Sequence, residues 1–121
     1  MFKIKVDDLI HKYPDGTQAL SGANIDVKEG EFLAILGANG SGKTTLLKHF
    51  NGLLKPASGS VTLDNKALSD FKSGEVFRKV GMVFQDPSDQ LIAPTVEEDV
   101  AFGPTNLGLN YDETMSRVNT A

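Results

Sequence analysis

The stretch LGANGSGKTTLLKHF, residues 36–50, carries the most specific pattern in this sequence of 121 residues. Within it, residues 37–44 fit the pattern G-x-x-x-x-G-K-[ST]. Glycines at this spacing let backbone N–H groups turn inward and approach phosphate oxygens. A helix that starts directly after them adds free N–H groups and about half an elementary positive charge at the same place. The stretch therefore predicts a phosphate-binding loop that leads into a helix.

Two side chains of the pattern suit the same ligand. Lys43 brings a full positive charge to the outer phosphates, and the Thr44 hydroxyl can ligate Mg²⁺. A chance match to this pattern is expected in well under about 1% of chains of this length. The apolar run EFLAIL at residues 31–36, directly before the loop, is typical of a strand buried on both faces. A strand before the loop and a helix after it both favour nucleotide binding.

Apolar residues continue at helical spacing after the loop, and they predict a helix that ends at Lys55 and Pro56. These apolar residues are Leu46, Leu47, Phe50, Leu53 and Leu54. A second run of the buried type, VGMVF at residues 80–84, predicts another core strand. These segments give an α/β protein whose strands are covered by helices.

Two other segments have the period of a strand with one face in water. ANIDVKEGEF, residues 23–32, alternates apolar and polar side chains. Upstream, YPDGTQAL, residues 13–20, has turn residues at Pro14, Asp15 and Gly16, which predict a hairpin between two such strands. GSVTLDNKAL, residues 59–68, reads as two short strands joined by a turn at Asp64 and Asn65. The amino-terminal half therefore predicts a small antiparallel sheet.

The carboxyl-terminal part of the chain predicts two helices. Thr95 and Glu98 form a capping-box pattern at the start of the first, which Gly103 and Pro104 would stop. A second helix begins near Asp112.

Composition excludes several classes of function. The net charge of −4 argues against a nucleic-acid partner, and the absence of cysteine removes disulfides and thiol catalysis. The sequence has no apolar run of membrane-spanning length, so a role at a membrane would need a partner. His11 and His49 lack metal-ligand spacing, and we expect both at the surface or only partly packed.

Longer stretches carry a family resemblance. GEFLAILGANGSGKTTLLKHFNGLLKPASGSVTLD, residues 30–64, resembles the nucleotide-binding domain of ATP-binding-cassette (ABC) transporters, and GMVFQDP, residues 81–87, resembles that family's Q-loop. VFQDPSDQLIAPTVEEDVAFGPTNLGL, residues 83–109, is similar to the ATPases of energy-coupling-factor importers, a group that includes cobalt, nickel and vitamin uptake systems. The resemblance covers essentially the whole chain. It implies a three-layer P-loop NTPase core, incomplete here, with an antiparallel β-subdomain.

The resemblance also implies ligands and roles for individual residues. Tyr13 would stack on adenine, and Gln85 would ligate Mg²⁺ and sense the γ-phosphate. Lys43 and Gln85 would be part of the catalytic set, with Thr44 and Gln85 as the ligands of Mg²⁺. The ATP-binding residues would be Tyr13, Gly37, Ala38, Asn39, Gly40, Ser41, Gly42, Lys43, Thr44 and Thr45.

The partners implied by the resemblance are a second ATP-binding subunit, identical or paralogous, and a transmembrane coupling subunit. The transmembrane subunit would dock on residues 86–108, from Asp86 to Gly108, at the cytoplasmic face of the cell membrane. Glu97, Glu98 and Asp99 lie inside this segment, either as part of the docking surface or as favourable charges in the first turn of a helix. The function implied is ATP hydrolysis coupled to uptake of a metal ion or a vitamin.

Several parts of an ABC ATPase are missing from these 121 residues, namely the LSGGQ signature, the Walker B acids and the switch histidine. We therefore expect residues 1–121 to be the amino-terminal part of one ATP-binding domain, with little hydrolysis of its own. We also expect residues 32–36 to lack neighbouring strands and to expose apolar side chains. Two alternatives stay open: a truncated ATP binder that does not hydrolyse, and a P-loop kinase or GTPase with Asp86 as the acid that supports Mg²⁺.

Overall fold

The computed structural model describes residues 2–121 of the chain. They form two compact units, residues 2–82 and residues 83–121. The strands of the first unit are β1 (Phe2–Lys12), β2 (Gln18–Lys28), β3 (Ser58–Leu63) and β4 (Lys66–Ala67). Its helices are α1 (Lys43–Phe50) and α2 (Glu75–Lys79), with a short 3₁₀ helix at Leu68–Asp70. The second unit contains a 3₁₀ helix at Pro87–Asp89, followed by α3 (Val96–Asn106) and α4 (Tyr111–Thr120).

The four strands form one antiparallel sheet in the order β2-β1-β3-β4. The predicted antiparallel sheet is thus confirmed, and both predicted turns lie where their residues indicate. Gly16, in the turn between β1 and β2, has a φ of 90°, and Asp64 and Asn65 between β3 and β4 have φ of 51° and 62°. Asn and Asp tolerate this left-handed backbone better than other side chains, which explains their presence in a two-residue hairpin turn.

The core of the first unit lies between the sheet and α1. Strand residues on one face of the sheet point toward the helix, and apolar side chains at every third or fourth position of the helix point toward the sheet. The buried apolar cluster consists of Val6, Leu9, Leu20, Leu46, Phe50 and Val61. This packing fixes the helix that follows the predicted phosphate loop against the antiparallel sheet.

Helix α1 is shorter than the sequence pattern predicts. It ends at Phe50 rather than at Lys55, because Gly52 adopts a left-handed φ of 77° and the Asn51 side chain accepts the backbone N–H of Leu53 at 3.1 Å. A glycine in this conformation commonly ends a helix. Leu53 and Leu54 therefore lie beyond the helix, although their spacing matched it.

The two predicted core strands, residues 31–36 and 80–84, are not strands in the part of the chain that the structure describes. A strand is defined by hydrogen bonds to a neighbour, and the sheet here is made by other segments. The expectation of exposed apolar side chains is confirmed, since Phe32 is 97% exposed and Leu36 90% exposed. Both segments lack the neighbours that a parallel sheet would give them.

The second unit consists mainly of α3 and α4. The predicted cap of α3 is confirmed, because Thr95 Oγ1 accepts the backbone N–H of Glu98 at 3.2 Å. The predicted stop at Gly103 and Pro104 is wrong: α3 continues through both to Asn106, with Pro104 inside the helix. Proline removes only one backbone donor, and the chain leaves the helix only near Gly108, whose φ is 78°.

Candidate nucleotide site

The loop at residues 37–42 is shaped by its glycines. Gly40 and Gly42 have φ of 79° and 98°, a region that side chains with a Cβ rarely adopt. The backbone N–H of Ser41 donates to the Ala38 carbonyl at 3.2 Å and closes a turn inside the loop. At Gly37, an added Cβ would lie 2.8 Å from Ser41 Oγ. Backbone conformation thus favours glycine at positions 40 and 42, and Gly37 leaves room for the Ser41 hydroxyl.

Gly42 also connects the loop to the sheet. A Cβ at this position would lie 2.7 Å from the Ala19 carbonyl oxygen and 3.1 Å from Leu20 Cδ2, both in β2. Only glycine permits such a close approach of the two backbones. The start of α1 is therefore fixed against the second strand.

The first turn of α1 presents free backbone donors. Within residues 2–121, the N–H groups of Lys43, Thr44 and Thr45 have no acceptor, and the Leu46 N–H is the first to donate back, to the Gly42 carbonyl at 2.9 Å. The N-cap residue Gly42 supplies no side-chain acceptor, and the first turn has no acidic residue. The positive end of the helix dipole is thus not neutralised by the described part of the chain.

The Lys43 side chain folds back over the loop. Its Nζ donates to the carbonyls of Gly37 at 2.6 Å and Ala38 at 2.8 Å, and lies 3.3 Å from Ser41 Oγ. The loop itself is mostly exposed. An ammonium group and free N–H groups therefore converge on one accessible concave turn, which suits an anion with several oxygens.

The two threonines at the start of α1 have different environments. Thr44 is exposed, whereas Thr45 is 7% exposed and its Oγ1 is hydrogen-bonded to the Tyr13 hydroxyl at 2.8 Å. Tyr13 is half-buried at the end of the β1–β2 hairpin, where its N–H donates to the Thr17 carbonyl at 2.9 Å. The structure thus brings the predicted base-binding aromatic next to the predicted phosphate loop, 32 positions away in sequence.

The expectation for the two histidines is wrong, because both are buried. His11 is 8% exposed and His49 is fully buried at 0%. The rings lie 4.8 Å apart, and the His11 ring is also 4.8 Å from that of Tyr13, each pair edge to face. The sequence periodicity could have predicted this burial. His11 lies on the same strand face as Leu9, and His49 lies three residues after Leu46 on the helix.

His49 is neutral in this arrangement. Its Nδ1–H donates to the Thr45 carbonyl at 2.8 Å, whereas Nε2 is buried and has no hydrogen-bond partner among residues 2–121. Burial lowers the pKa of His49 below its ordinary value of 6.5; the Thr45 carbonyl opposes this effect, and the nearby His11 adds to it. A proton on Nε2 would place an unpaired charge in the core.

The lowered pKa of His49 predicts a loss of stability in mild acid. The unfolded state binds a proton more readily than the folded state, so the free energy of unfolding is unaffected above about pH 6.5 and falls as the pH drops toward the lowered pKa. Urea unfolding of the protein at a series of pH values measures this slope. In His49→Asn the slope over this interval should flatten, and an unchanged slope would assign the acid sensitivity to other groups.

Gln85 lies in the second unit, exposed and in a bend that follows residues 80–84. The next residue, Asp86, caps the 3₁₀ helix: its carboxylate accepts the Ser88 N–H at 2.9 Å and the Ser88 hydroxyl at 2.7 Å. These hydrogen bonds lower the pKa of Asp86, so the group is ionised. Its observed role is to shape the loop after Gln85.

Residues 86–108 expose apolar side chains. The exposed large ones are Leu91, Ile92, Val96, Val100, Phe102 and Leu107. A shallow cavity of about 440 Å³ is lined by Ile92, Ala93, Pro94, Glu98, Ala101, Phe102 and Thr105. Asp99 accepts the backbone N–H groups of Ile92 and Ala93 at 2.9 and 3.2 Å, so it orders the loop before α3, while Glu97 and Glu98 remain exposed in the first turn.

Residues 2–121 lack two kinds of feature. These residues contain no group of three or more His, Asp or Glu side chains arranged to hold a metal ion. None of their helices is both long and apolar enough to cross a bilayer.

Known proteins match nearly the whole chain. A family model described as "ABC transporter" matches residues 20–120. The energy-coupling factor transporter ATP-binding protein EcfA of Methanococcus maripaludis is 56% identical over 117 residues, which is 95% of this chain and 42% of that protein. The chain therefore spans less than half the length of this curated relative.

Solved structures show the same fold. The structure of cbiO1 from Clostridium perfringens, described as part of the ABC transporter complex cbiONQ, superposes with a TM-score of 0.80 at 45% identity over 98% of this chain and 48% of that one. An ATP-binding cassette in a dimeric, post-hydrolysis state bound to ADP and Pi gives a TM-score of 0.79 at 31% identity, covering 97% and 54% of the two chains. The fold class is thus that of the P-loop ATPase domain, α/β with an antiparallel subdomain and an incomplete core, as the sequence predicts.

Proposed function

The chain belongs to the ABC transporter family, whose model matches residues 20–120, and on that premise we propose that it binds ATP for a membrane importer of the energy-coupling-factor type. One observation carries the proposal: at residues 37–45 an ammonium group and free N–H groups at a helix start face one exposed loop. This arrangement suits the phosphate chain of a nucleotide better than any single-charge ligand. Residues 1–121 are then part of one ATP-binding domain.

The phosphates would be bound mainly by the main chain. The N–H groups of Lys43, Thr44 and Thr45 lack acceptors in the described residues, so an incoming oxygen displaces only water from them. The Lys43 ammonium already lies over the loop, bonded to the carbonyls of Gly37 and Ala38, and exchanges these for phosphate oxygens. The related cassette whose structure contains ADP and Pi supports a nucleotide as the ligand.

Tyr13 would provide the platform for the base. Its backbone is fixed by the hairpin turn and its hydroxyl by Thr45, so the ring is presented at a constant distance from the loop. Stacking of a base on an aromatic ring contributes about 1–3 kcal/mol and discriminates little between purines. The half-buried ring thus adds affinity for adenine without requiring hydrogen bonds to it.

The residues present fit a magnesium ion as the companion of the phosphates. Mg²⁺ prefers oxygen ligands and usually binds through one or two protein groups together with phosphate oxygens and water. We propose the exposed Thr44 hydroxyl as one protein ligand. The family resemblance, and no geometry between the two units, adds the Gln85 amide oxygen as the second proposed ligand. When bound, the ion would neutralise the charge that develops on the phosphates during transfer.

Hydrolysis requires groups that are not among these 121 residues, namely the signature sequence and the acids of Walker B. We therefore propose that the chain by itself binds ATP without sustained turnover, and that hydrolysis belongs to the complete ATPase subunit. Lys43 and Gln85 are its contribution to catalysis. The kinase or GTPase alternative loses its support, because Asp86 caps the 3₁₀ helix and the family is that of ABC transporters.

The proposed partners follow from the relatives and from one exposed surface. A second ATP-binding subunit is supported by the dimeric cassette, and a transmembrane coupling subunit by the relative that is part of a transporter complex. We place the docking surface for the transmembrane subunit at residues 86–108, where apolar side chains line an open cavity. The protein would then lie peripherally at the cytoplasmic face of the membrane, serving uptake of cobalt, nickel or a vitamin.

Calorimetric titration of the purified protein with ATP and with AMP, in a buffer that contains Mg²⁺, tests the proposal. We expect one ATP to bind per chain and AMP to bind at least tenfold more weakly, because AMP lacks the outer phosphates that Lys43 contacts. A phosphate-release assay on the same sample should show no sustained turnover. Equal affinity for ATP and AMP would contradict the assignment of the loop, and sustained turnover would contradict the assignment of hydrolysis to the complete subunit.

A further inference from the structure

The side chains of Tyr13, Thr45, His49 and His11 form a closed ring of contacts between β1 and α1. The Tyr13 hydroxyl bonds Thr45 Oγ1 at 2.8 Å, and the Thr45 carbonyl accepts His49 Nδ1–H at 2.8 Å. The His49 ring lies edge to face with that of His11 at 4.8 Å, and the His11 ring lies edge to face with that of Tyr13 at 4.8 Å. Each member therefore restrains the next.

His11 is the member of this ring that approaches Tyr13 from the sheet. It is 8% exposed, and its Nδ1–H donates to the Lys55 carbonyl at 3.2 Å, which fixes the orientation of the imidazole. The interplanar angle of 83° with Tyr13 is the favourable T-shaped arrangement of two aromatic rings. The His11 ring thus packs against the Tyr13 ring, and Thr45 Oγ1 is hydrogen-bonded to the Tyr13 hydroxyl.

We propose that His11 is a positioning residue for nucleotide binding: it holds the Tyr13 ring in the orientation that receives the base while Thr45 ties that ring to the phosphate loop. This inference rests on the proposed function. His11 itself touches neither base nor phosphate; it acts by keeping Tyr13 from leaving the stacking orientation. The base and the phosphates are then recognised by one preorganised unit, since Tyr13 and the loop share Thr45.

The proposal predicts different effects on two ligands. ATP uses the ring and the loop, whereas inorganic tripolyphosphate uses the loop alone. Loss of an aromatic contact of this kind corresponds to about a two- to tenfold change in an equilibrium constant. In His11→Ala we therefore expect ATP affinity to fall by about two- to tenfold and tripolyphosphate affinity to stay within about twofold of wild type.

The matched variants are His11→Phe, which keeps an aromatic ring beside Tyr13, and Tyr13→Ala, which removes the platform. His11→Phe should recover most of the affinity for ATP, and His11→Ala in a Tyr13→Ala background should have no further effect. Thermal unfolding of each variant identifies any that fail to fold, and His11→Phe keeps the test informative if His11→Ala is one of them.

A spectroscopic readout is also available, because the sequence contains two tyrosines and no tryptophan. In a Tyr111→Phe background, Tyr13 is the only tyrosine, and a stacked adenine should quench its fluorescence whereas tripolyphosphate should not. His11→Ala should reduce the quenching at saturating ATP, and His11→Phe should restore it.

The outcomes separate the two proposals. Equal losses for ATP and tripolyphosphate in His11→Ala, or no loss for either, would overturn the positioning role while leaving the proposed function intact. Wild-type protein that binds neither ligand would instead overturn the proposed function. Recovery of ATP affinity and of quenching by His11→Phe supports the positioning role.

Discussion

Replacing Lys43 by alanine is expected to weaken ATP binding by about ten- to a hundredfold. Hydrogen bonds to a charged group contribute about 1.5–3 kcal/mol, and 1.4 kcal/mol corresponds to a factor of ten in affinity. The Lys43 ammonium already lies over the loop on the carbonyls of Gly37 and Ala38, so little ordering is needed when phosphate binds. Calorimetric titration with ATP in magnesium measures the change.

Lys48→Ala provides the matched control. Lys48 carries the same charge on the same helix but lies in its last turn, away from the loop. Lys48→Ala should reduce ATP affinity by less than about twofold, since it leaves the Lys43 ammonium on the loop and removes a charge only from the other end of the helix. Equal affinities of Lys43→Ala and wild type would show that the ammonium does not contact phosphate. Equal losses in Lys43→Ala and Lys48→Ala would show that Lys43 contributes only to the net positive charge.

Local residue patterns predicted the antiparallel sheet well. Alternating side chains predicted the strands, and the pairs Pro14–Asp15 and Asp64–Asn65 predicted the turns, because these features depend on conformational preferences of a few neighbouring residues. The phosphate loop was equally predictable, since its glycines are dictated largely by backbone angles within the loop itself. Both features are encoded within about ten residues.

Features that depend on distant partners were not predicted. Residues 31–36 have the composition of a core strand, but a strand also needs neighbours, and the described sheet offers them none. The burial of His11 and His49 arises where β1 meets α1, a contact between segments 38 positions apart that neither segment reveals alone. The contact between Tyr13 and Thr45 likewise joins distant segments, and only the family resemblance predicted that both residues bind the same ligand.

The second large effect is expected at the proposed docking surface, from Phe102→Asp. Phe102 is 50% exposed on α3 and lines the cavity of about 440 Å³ with Ile92 and Ala101. An aromatic anchor at the centre of an interface contributes about 2 kcal/mol or more, and a carboxylate there would have to lose its hydration. We expect at least about a tenfold reduction in the protein retained by isolated membranes.

Tyr111→Asp is the matched control, because Tyr111 is also exposed, at 76%, and lies in the same unit but outside residues 86–108. An acid at the first position of α4 is favourable there, so this variant should remain folded and membrane-bound. A photoreactive amino acid at position 102 should cross-link to a protein with membrane-spanning helices, whereas one at position 111 should not. Full membrane retention of Phe102→Asp, or cross-linking from position 102 only to soluble proteins, would contradict the docking surface. If only Phe102→Asp loses retention, the apolar cavity on α3 attaches the protein to its membrane partner. Nonspecific adsorption through other exposed apolar side chains would not depend on this one residue.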